Sequence, residues 1–560
     1  MGFKRIPMLI AVALGLLIWF VIPVPEGVTE NAWHLLALFV ATIAAIIGKA
    51  MPIGALSIVA ITLVAVSGVT GNEGAAKPAV TAPVAATAAS AAGPAPVAGA
   101  SAAAAKTATV ASLPATAQAP AASASPAAPA SAAAAKPVVK PEARKPSTPA
   151  DLIRDALSAM SNSLIWLIGI SIMISRGLIK TGLGARIGYW FISLFGKKTL
   201  GIGYALALSE LVIAPVTPSN TARGGGIIHP IMRAIADSFD SKPENGTQGR
   251  IGRYLALTNY QTNPITSAMF ITATAPNPLV VDLIAKATGS QIHLSWSQWA
   301  LSMLLPGLVA LLVMPLVVYW MNKPEITNTP NATEFARGKL RELGAMQRGE
   351  KIMVAIFALL LFLWAGVPAM LFGKQYAVDP TTTAFIGLSL LLLTGVLEWD
   401  DVLKEKSAWD TIIWFGALVM MADFLNKLGL VAWFSGSLKD GIGALGLGWE
   451  GASTLLLLAY LYAHYMFAST TAHITGMFAA FYAAGLALGA PPMAWALIMA
   501  AASNIMMTLT HYATGTAPVI FGSGYATLGE WWRTGFVMSV VNLLIWLTVG
   551  TLWWKVLGFI

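Results

Sequence analysis

Two short polar segments interrupt long apolar stretches of this sequence, and they carry residue types suited to binding a small charged molecule. They cover residues 217–226 and 467–473. Each contains three consecutive hydroxyl or amide side chains, and each has a basic residue four positions after its serine, Arg223 in the first and His473 in the second. Inside a bilayer, polar helix-breaking segments persist only where protein buries them or where they line a cavity. Two such breaks in corresponding halves of a chain indicate a membrane-embedded binding site.

The first polar segment predicts the tip of a re-entrant hairpin. Pro218 cannot continue a helix, and the triplet Ser219-Asn220-Thr221 favours caps and turns over helix interiors. A helix that begins after the triplet presents free N–H groups and a partial positive charge, which suit an anion. Oxygen atoms at the same tip can hold a hard cation such as sodium. The alternative interpretation is a capped turn between two core helices.

Each half of the chain contains a second polar break. Small residues, hydroxyl side chains and a proline interrupt apolar spans at residues 266–278 and 508–518. Both patterns predict an unwound helix opposite a hairpin tip, so that four half-helix ends converge on one site.

A repeated pattern relates the two halves. Residues 165–169 (Ile-Trp-Leu-Ile-Gly) and 180–183 (Lys-Thr-Gly-Leu) recur as 413–416 (Ile-Trp-Phe-Gly) and 427–430 (Lys-Leu-Gly-Leu). The polar segments follow each copy at a similar distance. If the apolar spans are threaded in order, the first copy runs from outside to inside and the second from inside to outside. The pattern therefore predicts an inverted-topology repeat.

Composition places the chain in a membrane. Of its 560 residues, 57% are hydrophobic and only 11% are charged, whereas about 25% are charged in a typical soluble domain. The net charge of +9 does not indicate a nucleic-acid partner, because the basic residues fall mainly in short loops between apolar spans. The chain has no cysteine, which excludes disulfides and thiolate metal sites.

Apolar stretches predict an all-α polytopic protein with about 11 transmembrane helices. The predicted spans and broken regions are 7–25, 31–48, 52–71, 162–179, 199–285 (broken), 298–321, 351–372, 381–397, 409–426, 451–526 (broken) and 535–557. Lys4 and Arg5 place the N-terminus in the cytoplasm, and the threading then places the C-terminus in the periplasm. The same basic start also resembles a cleaved signal peptide, but no small-residue cleavage site follows it. We favour a retained first span.

Residues 74–150 depart from this pattern. They are almost entirely Ala, Pro, Ser, Thr and Val. Such a composition cannot bury a packed core, so it predicts a disordered external insertion without a catalytic role. The chain then divides into five segments. They are the first transmembrane helices (1–73), the insertion (74–150), the remainder of the first repeat (151–321), a cytoplasmic loop (322–350) and the second repeat (351–560).

The motifs resemble those of the divalent anion:sodium symporter family. The segments that carry the resemblance are 214–224 (Ala-Pro-Val-Thr-Pro-Ser-Asn-Thr-Ala-Arg-Gly), 508–512 (Thr-Leu-Thr-His-Tyr) and 521–525 (Phe-Gly-Ser-Gly-Tyr). They are most similar to the branch of bacterial citrate/succinate and tartrate/succinate antiporters and plastid 2-oxoglutarate/malate translocators. The resemblance implies a homodimer whose protomers each have a scaffold domain and an elevator-type transport domain with two hairpins. It also implies di- or tricarboxylate substrates.

The resemblance further implies site residues, which lie at the two tips and in the two unwound segments. The substrate-binding positions are Ser219, Asn220, Thr221, Thr274, Ser469, Thr470, Thr471, Thr514 and Gly515. The candidate sodium positions are Ser219, Asn220, Ala273, Thr470 and Ala513. Thr470 stands where sodium-coupled members have asparagine, and Ala273 stands where glycine is usual. These departures weaken the prediction of sodium binding.

We add the basic residues Arg223 and His473 to the predicted substrate site. A fixed guanidinium can pair with a substrate carboxylate or replace a sodium ion. A carrier whose site keeps a positive charge returns poorly when empty, which favours exchange of one anion for another. The alternative is that Arg223 pairs with Glu210 on the other hairpin arm, and that His473 only bonds a neighbour.

The sequence thus predicts a secondary carrier, not an enzyme, that exchanges carboxylates such as succinate, malate, tartrate, citrate or 2-oxoglutarate. The alternative within transport is a sodium-coupled symporter for dicarboxylates or sulfate. A membrane enzyme built on Ser219 and His473 is a remote alternative, because both halves contribute the same motif and catalysis does not require that. No nucleotide-binding or zinc motif occurs, so no cofactor is expected. The lack of a transit peptide favours a bacterial inner membrane over a plastid envelope.

Overall fold

The computed structural model describes residues 3–71 and 146–560. Within these ranges the chain is helical and contains no β-strand. Six of the described helices are long and apolar enough to cross a membrane, and five shorter apolar helices accompany them. The insertion predicted at 74–150 lies outside the described residues except for its last few, where a helix begins at Pro149.

Eleven α-helices precede the central loop in the part of the chain that the structure describes. They are α1 (Arg5–Leu16), α2 (Glu30–Ile47), α3 (Ile53–Ser67), α4 (Pro149–Ala156), α5 (Ser163–Thr181), α6 (Leu183–Phe195), α7 (Thr199–Ile213), α8 (His229–Ser238), α9 (Gly252–Met269), α10 (Pro276–Ala287) and α11 (Trp296–Met321). The central loop itself contains α12 (Pro330–Leu343).

The second half continues with thirteen α-helices. They are α13 (Arg348–Trp364), α14 (Val367–Phe372), α15 (Pro380–Leu393), α16 (Trp399–Lys404), α17 (Lys406–Lys427), α18 (Leu430–Gly443), α19 (Trp449–Ala463), α20 (Thr470–His473), α21 (Ala479–Ala487), α22 (Pro492–Ile505), α23 (Thr516–Phe521), α24 (Leu528–Ile545) and α25 (Thr551–Val556). The span predicted at 351–372 is interrupted, because Gly366 takes a positive φ of 72° and starts the separate short helix α14.

The order of elements repeats. A long helix and an amphipathic helix (α5, α6) precede a polar hairpin (α7, α8), a broken helix (α9, α10) and a long helix (α11), and the same order recurs in α17 to α24. Gly182 separates α5 from α6 with φ 76°, and Gly429 separates α17 from α18 with φ 85°. Only glycine adopts this conformation without strain, which explains the Gly-Leu pair in both sequence copies. Both α11 and α24 begin with a capping box.

Packing divides most of the helices into two sets. The wall helices, α1, α2, α3, α5, α13, α15 and α17, pack mainly against one another. The tip helices, α7 to α11 and α19 to α24, pack around α9 and α22, which are buried along most of their length. The amphipathic helices α6 and α18 connect the sets, since α6 follows α5 and packs on α7, and α18 follows α17 and packs on α21.

Candidate functional site

The first polar segment forms a sharp tip between α7 and α8. After α7 a short 3-10 turn covers Ala214–Val216, Thr217 is extended, and a π-helical segment begins at Thr221. The Ser219 hydroxyl accepts the backbone N–H of Ala222 at 3.1 Å. Ser219 therefore caps the new helix, as the sequence predicts for this triplet.

The second tip has the same construction. A 3-10 turn covers His464–Met466, Phe467 is extended, and α20 begins at Thr470. The Ser469 hydroxyl accepts the backbone N–H of Ala472 at 3.3 Å, which matches the cap at the first tip. The two tips thus present equivalent helix N-termini.

The two broken helices supply the other side of each tip. Between α9 and α10 the backbone passes through a 3-10 turn to the extended residue Thr274. Between α22 and α23 it leaves helical geometry after a 3-10 turn at Met506–Thr508. The halves are tied together here, because the Asn220 side-chain amide donates to the Thr514 hydroxyl at 2.8 Å.

These four segments border one cavity of about 430 Å³. Nine of the eleven predicted substrate-binding residues line it: Ser219, Asn220, Thr221, Thr274, Ser469, Thr470, Thr471, Thr514 and Gly515. None of the described residues that line the cavity carries a charged side chain. The cavity therefore offers hydroxyl groups, one amide and two helix N-termini, a set that suits a small anion with several oxygen atoms.

The wall helices complete the cavity with residues that the sequence reasoning missed. These are Ile172 on α5 and Ser407, Thr411 and Trp414 on α17. The α17 residues are spaced i, i+4 and i+7 and therefore share one face of the helix. This spacing, which includes Trp414 of the repeated Ile-Trp pair, is the sequence signal that could have identified them.

Arg223 does not reach the cavity. Its side chain is fully buried, and its Nε donates to Glu210 at 3.1 Å. Its Nη1 donates to the carbonyl oxygens of Thr217 at 2.8 Å and Ala273 at 2.7 Å. These contacts agree with the alternative interpretation, pairing with Glu210, and not with direct contact to a substrate in this conformation.

His473 also lies behind the cavity and is fully buried. Its Nδ1 lies 3.0 Å from the Nδ1 of His464, and the Nε2 of His464 lies 3.0 Å from the carbonyl oxygen of Ala513. Because a carbonyl only accepts, the Nε2–H of His464 donates to Ala513. The Nδ1 of a neutral His464 is then an acceptor, and the Nδ1–H of His473 donates to it. Sequence reasoning missed His464, whose role depends on the fold of the hairpin.

The sequence profile of the sodium:sulfate symporter transmembrane region matches residues 4–560. The chain belongs to this family. It is therefore a multi-pass membrane transporter and not an enzyme, and the resemblance to divalent anion:sodium symporters is confirmed.

Proteins from bacteria and plants are similar to this chain over most of their length. The chain is 43% identical over 555 residues to the putative malate transporter YflS of Bacillus subtilis (strain 168), covering 99% of this chain and 97% of YflS. It is 39% identical over 552 residues to dicarboxylate transporter 1, chloroplastic, of Arabidopsis thaliana, covering 99% and 83%. It is 37% identical over 401 residues to the inner membrane protein YbhI of Escherichia coli (strain K12), covering 72% and 82%.

The name of the matching family includes sodium, and the candidate sodium ligands lie at the tips and in the broken helices. The carbonyl oxygen of Ala273, a candidate ligand, accepts from the guanidinium of Arg223. The carbonyl oxygen of Ala513 accepts from both His464 and the Thr470 hydroxyl, the latter at 3.2 Å. Protein donors thus already use both candidate carbonyl groups. In this conformation these residues do not fit a sodium ion well.

Proposed function

We propose that the chain is a secondary carrier of dicarboxylates, and of tricarboxylates of similar shape, in a bacterial inner membrane. Its cavity joins two helix N-termini with hydroxyl and amide groups from both halves of the chain. These groups can bind carboxylates without a charged side chain at the surface of the cavity. The names of the relatives, a putative malate transporter and dicarboxylate transporters, support the same substrate class.

We propose exchange of one anion for another as the mode of transport. The observation that carries this proposal is that donors of the protein occupy the Ala273 and Ala513 carbonyl groups. A permanent positive charge at the site gives little support to exchange, because Glu210 pairs with Arg223 and balances its charge. Hydrogen bonds to the Ala273 and Ala513 carbonyl groups, rather than excess charge, are therefore the basis for proposing exchange without sodium.

We further propose that the tip helices move relative to the wall helices, as in an elevator, and that the functional unit is a homodimer with a cytoplasmic N-terminus. The separate packing of the two sets supports such a movement. The repeated order of elements supports an inverted arrangement of the halves, which produces two equivalent facing states.

Counterflow in proteoliposomes tests the function. Vesicles loaded with unlabelled malate should take up labelled malate, succinate or 2-oxoglutarate, whereas empty vesicles should take up little. Replacement of sodium by choline should leave this uptake unchanged. Uptake into empty vesicles that requires external sodium would refute exchange.

Sodium-coupled symport remains the second candidate. It is favoured by the remaining oxygen atoms at the tips, those of Ser219, Asn220 and Thr470, and by the name of the matching family. The choline replacement distinguishes the two candidates, and labelled sulfate in the same assay tests the alternative substrate.

A further inference from the structure

Besides the tips, residues of the wall helices line the cavity, and Trp414 has the largest of their side chains. Trp414 is half-buried and lies on α17 one turn beyond Thr411. α17 packs mainly on α2, α3 and α5 and makes only a small contact with the second hairpin, at Ile474–Phe478, so this wall belongs mainly to the other packing set. An anion held at the tips occupies the same cavity that Trp414 lines.

All but one of the side-chain hydrogen-bond donors on this wall already bond to other protein groups. The Thr411 hydroxyl donates to the backbone of Ser407 at 2.6 Å, and the Ser407 hydroxyl donates to Glu405 at 2.5 Å. Ile172 has no polar side-chain atom. Among the described residues, the indole N–H of Trp414 has no acceptor within hydrogen-bond distance.

The first half of the chain provides a built-in comparison. Trp166 is the counterpart of Trp414 in the repeated Ile-Trp pair, and it is also half-buried. Its indole N–H donates to the carbonyl oxygen of Met160 at 2.9 Å, and Trp166 does not line the cavity. The two tryptophans therefore share a position in the repeat but differ in whether the N–H is committed to the protein.

We propose that the Trp414 indole N–H donates to the second carboxylate of the bound acid while the tips hold the first. The proposal rests on the proposed function. An indole N–H can only donate, so it favours a carboxylate, which only accepts, and gains the extra strength of a charge-assisted bond. Trp414 thereby selects dicarboxylates over monocarboxylates of the same chain length.

The test compares Trp414→Phe with Trp166→Phe in proteoliposomes. Both changes keep an aromatic ring and remove one N–H. Trp414→Phe should raise the KM for succinate about tenfold, the usual effect of losing a hydrogen bond to a charged group. Inhibition by butyrate, which lacks the second carboxylate, should be unchanged, and Trp166→Phe should leave the KM for succinate within about twofold of wild type.

Several results would overturn the proposal. A wild-type KM in Trp414→Phe would do so, and so would an equal loss of affinity for succinate and butyrate. If Trp414→Phe does not fold, Trp414→His at pH 8, where a typical imidazole is neutral and keeps one N–H, should retain a KM near wild type, and a tenfold rise there would contradict the proposal. Failure of the wild-type protein to exchange any dicarboxylate would instead refute the proposed function, and this inference with it.

Discussion

At the scale of single residues, Arg223 and Glu210 form an ion pair inside the first hairpin. Both side chains are fully buried, and Glu210 Oε1 also accepts from Asn263 at 2.7 Å and Thr266 at 3.0 Å. A buried ion pair adds little net stability over apolar residues of similar volume, but the loss of one partner leaves an uncompensated charge. The pair therefore fixes the shape of the first tip more than it strengthens the fold.

We expect the single changes Arg223→Met and Glu210→Leu each to lower the free energy of unfolding by about 3–5 kcal/mol, and the double change to cost less than their sum. Thermal unfolding of the purified protein in detergent measures this. Additive losses in the double variant would show that the two charges do not compensate each other.

The sequence predicted the tip residues well because their chemistry is local. Three consecutive polar residues, preceded at the first tip by Pro218, favour the end of one helix and the cap of the next, and Ser219 and Ser469 are the observed caps. The direction of a long side chain depends on the fold around it, and Arg223 consequently points into the protein. Trp414 was missed as a site residue for the same reason, since only the packing of α17 brings it to the cavity.

At the scale of elements, both tips depend on a serine that caps a short, irregular helix. The helix after Ser219 starts with π-helical geometry, and the helix after Ser469 becomes π-helical at Ile474. Such segments have weaker backbone hydrogen bonding than a regular α-helix, so the cap contributes a larger share of their order.

We expect Ser219→Ala and Ser469→Ala each to lower the free energy of unfolding by about 1 kcal/mol, and the glycine substitutions to cost only a few tenths. The relative stability of the alanine and glycine variants shows whether the serine is a cap or an interior residue. In a helix interior the alanine variant is more stable than the glycine variant by about 1 kcal/mol, whereas at a cap the glycine variant is the more stable. Melting temperatures of the four variants distinguish a capping position from a helix-interior position. Alanine variants that are more stable than the glycine variants would exclude a capping role.

Sequence patterns located the broken helices but not their detailed geometry. Hydroxyl groups, small residues and proline at 266–278 and 508–518 indicated a break in each case. The 3-10 turns within the breaks are held by contacts with other elements, such as the Gln261 amide that donates to the carbonyl oxygen of Thr508 at 3.2 Å. Such long-range contacts leave no periodic signal in the sequence.

At the scale of the whole molecule, an ion pair joins the two packing sets. Lys286 on α10 contacts Asp423 on α17 at 2.6 Å and Asp282 on its own helix at 2.7 Å. All three side chains are partly exposed, so the Coulomb energy of the pair is modest. If the tip helices move against the wall helices, this contact exists in one state only.

We expect a reducible bis-thiosulfonate cross-link between Lys286→Cys and Asp423→Cys to stop transport and its reduction to restore it, because the two backbones are separated by the length of both native side chains, which a direct disulfide does not span. The natural chain has no cysteine, so the reagent reacts only with the introduced residues. The pair Asp282→Cys and Lys286→Cys, within α10, is the control and should not stop transport with the same reagent. Full transport in a completely cross-linked Lys286–Asp423 variant would contradict movement between the sets.

The overall class of the protein followed directly from its sequence, since composition and apolar spans indicate a helical membrane protein. The lengths of the helices were predicted less accurately from the sequence. The span predicted at 351–372 ends early at Trp364 because Gly366 redirects the chain. Hydropathy cannot detect such a turn, because the residues on both sides of it remain apolar.

The hydrogen bond between Asn220 and Thr514 makes the two halves unequal. In a fully symmetric pair of halves, every contact between them would occur twice. The counterpart of Asn220 is Thr470, which instead donates to Ala513 within its own half. Loss of the Asn220 amide would therefore remove a contact between the halves that the Thr470 side chain does not duplicate.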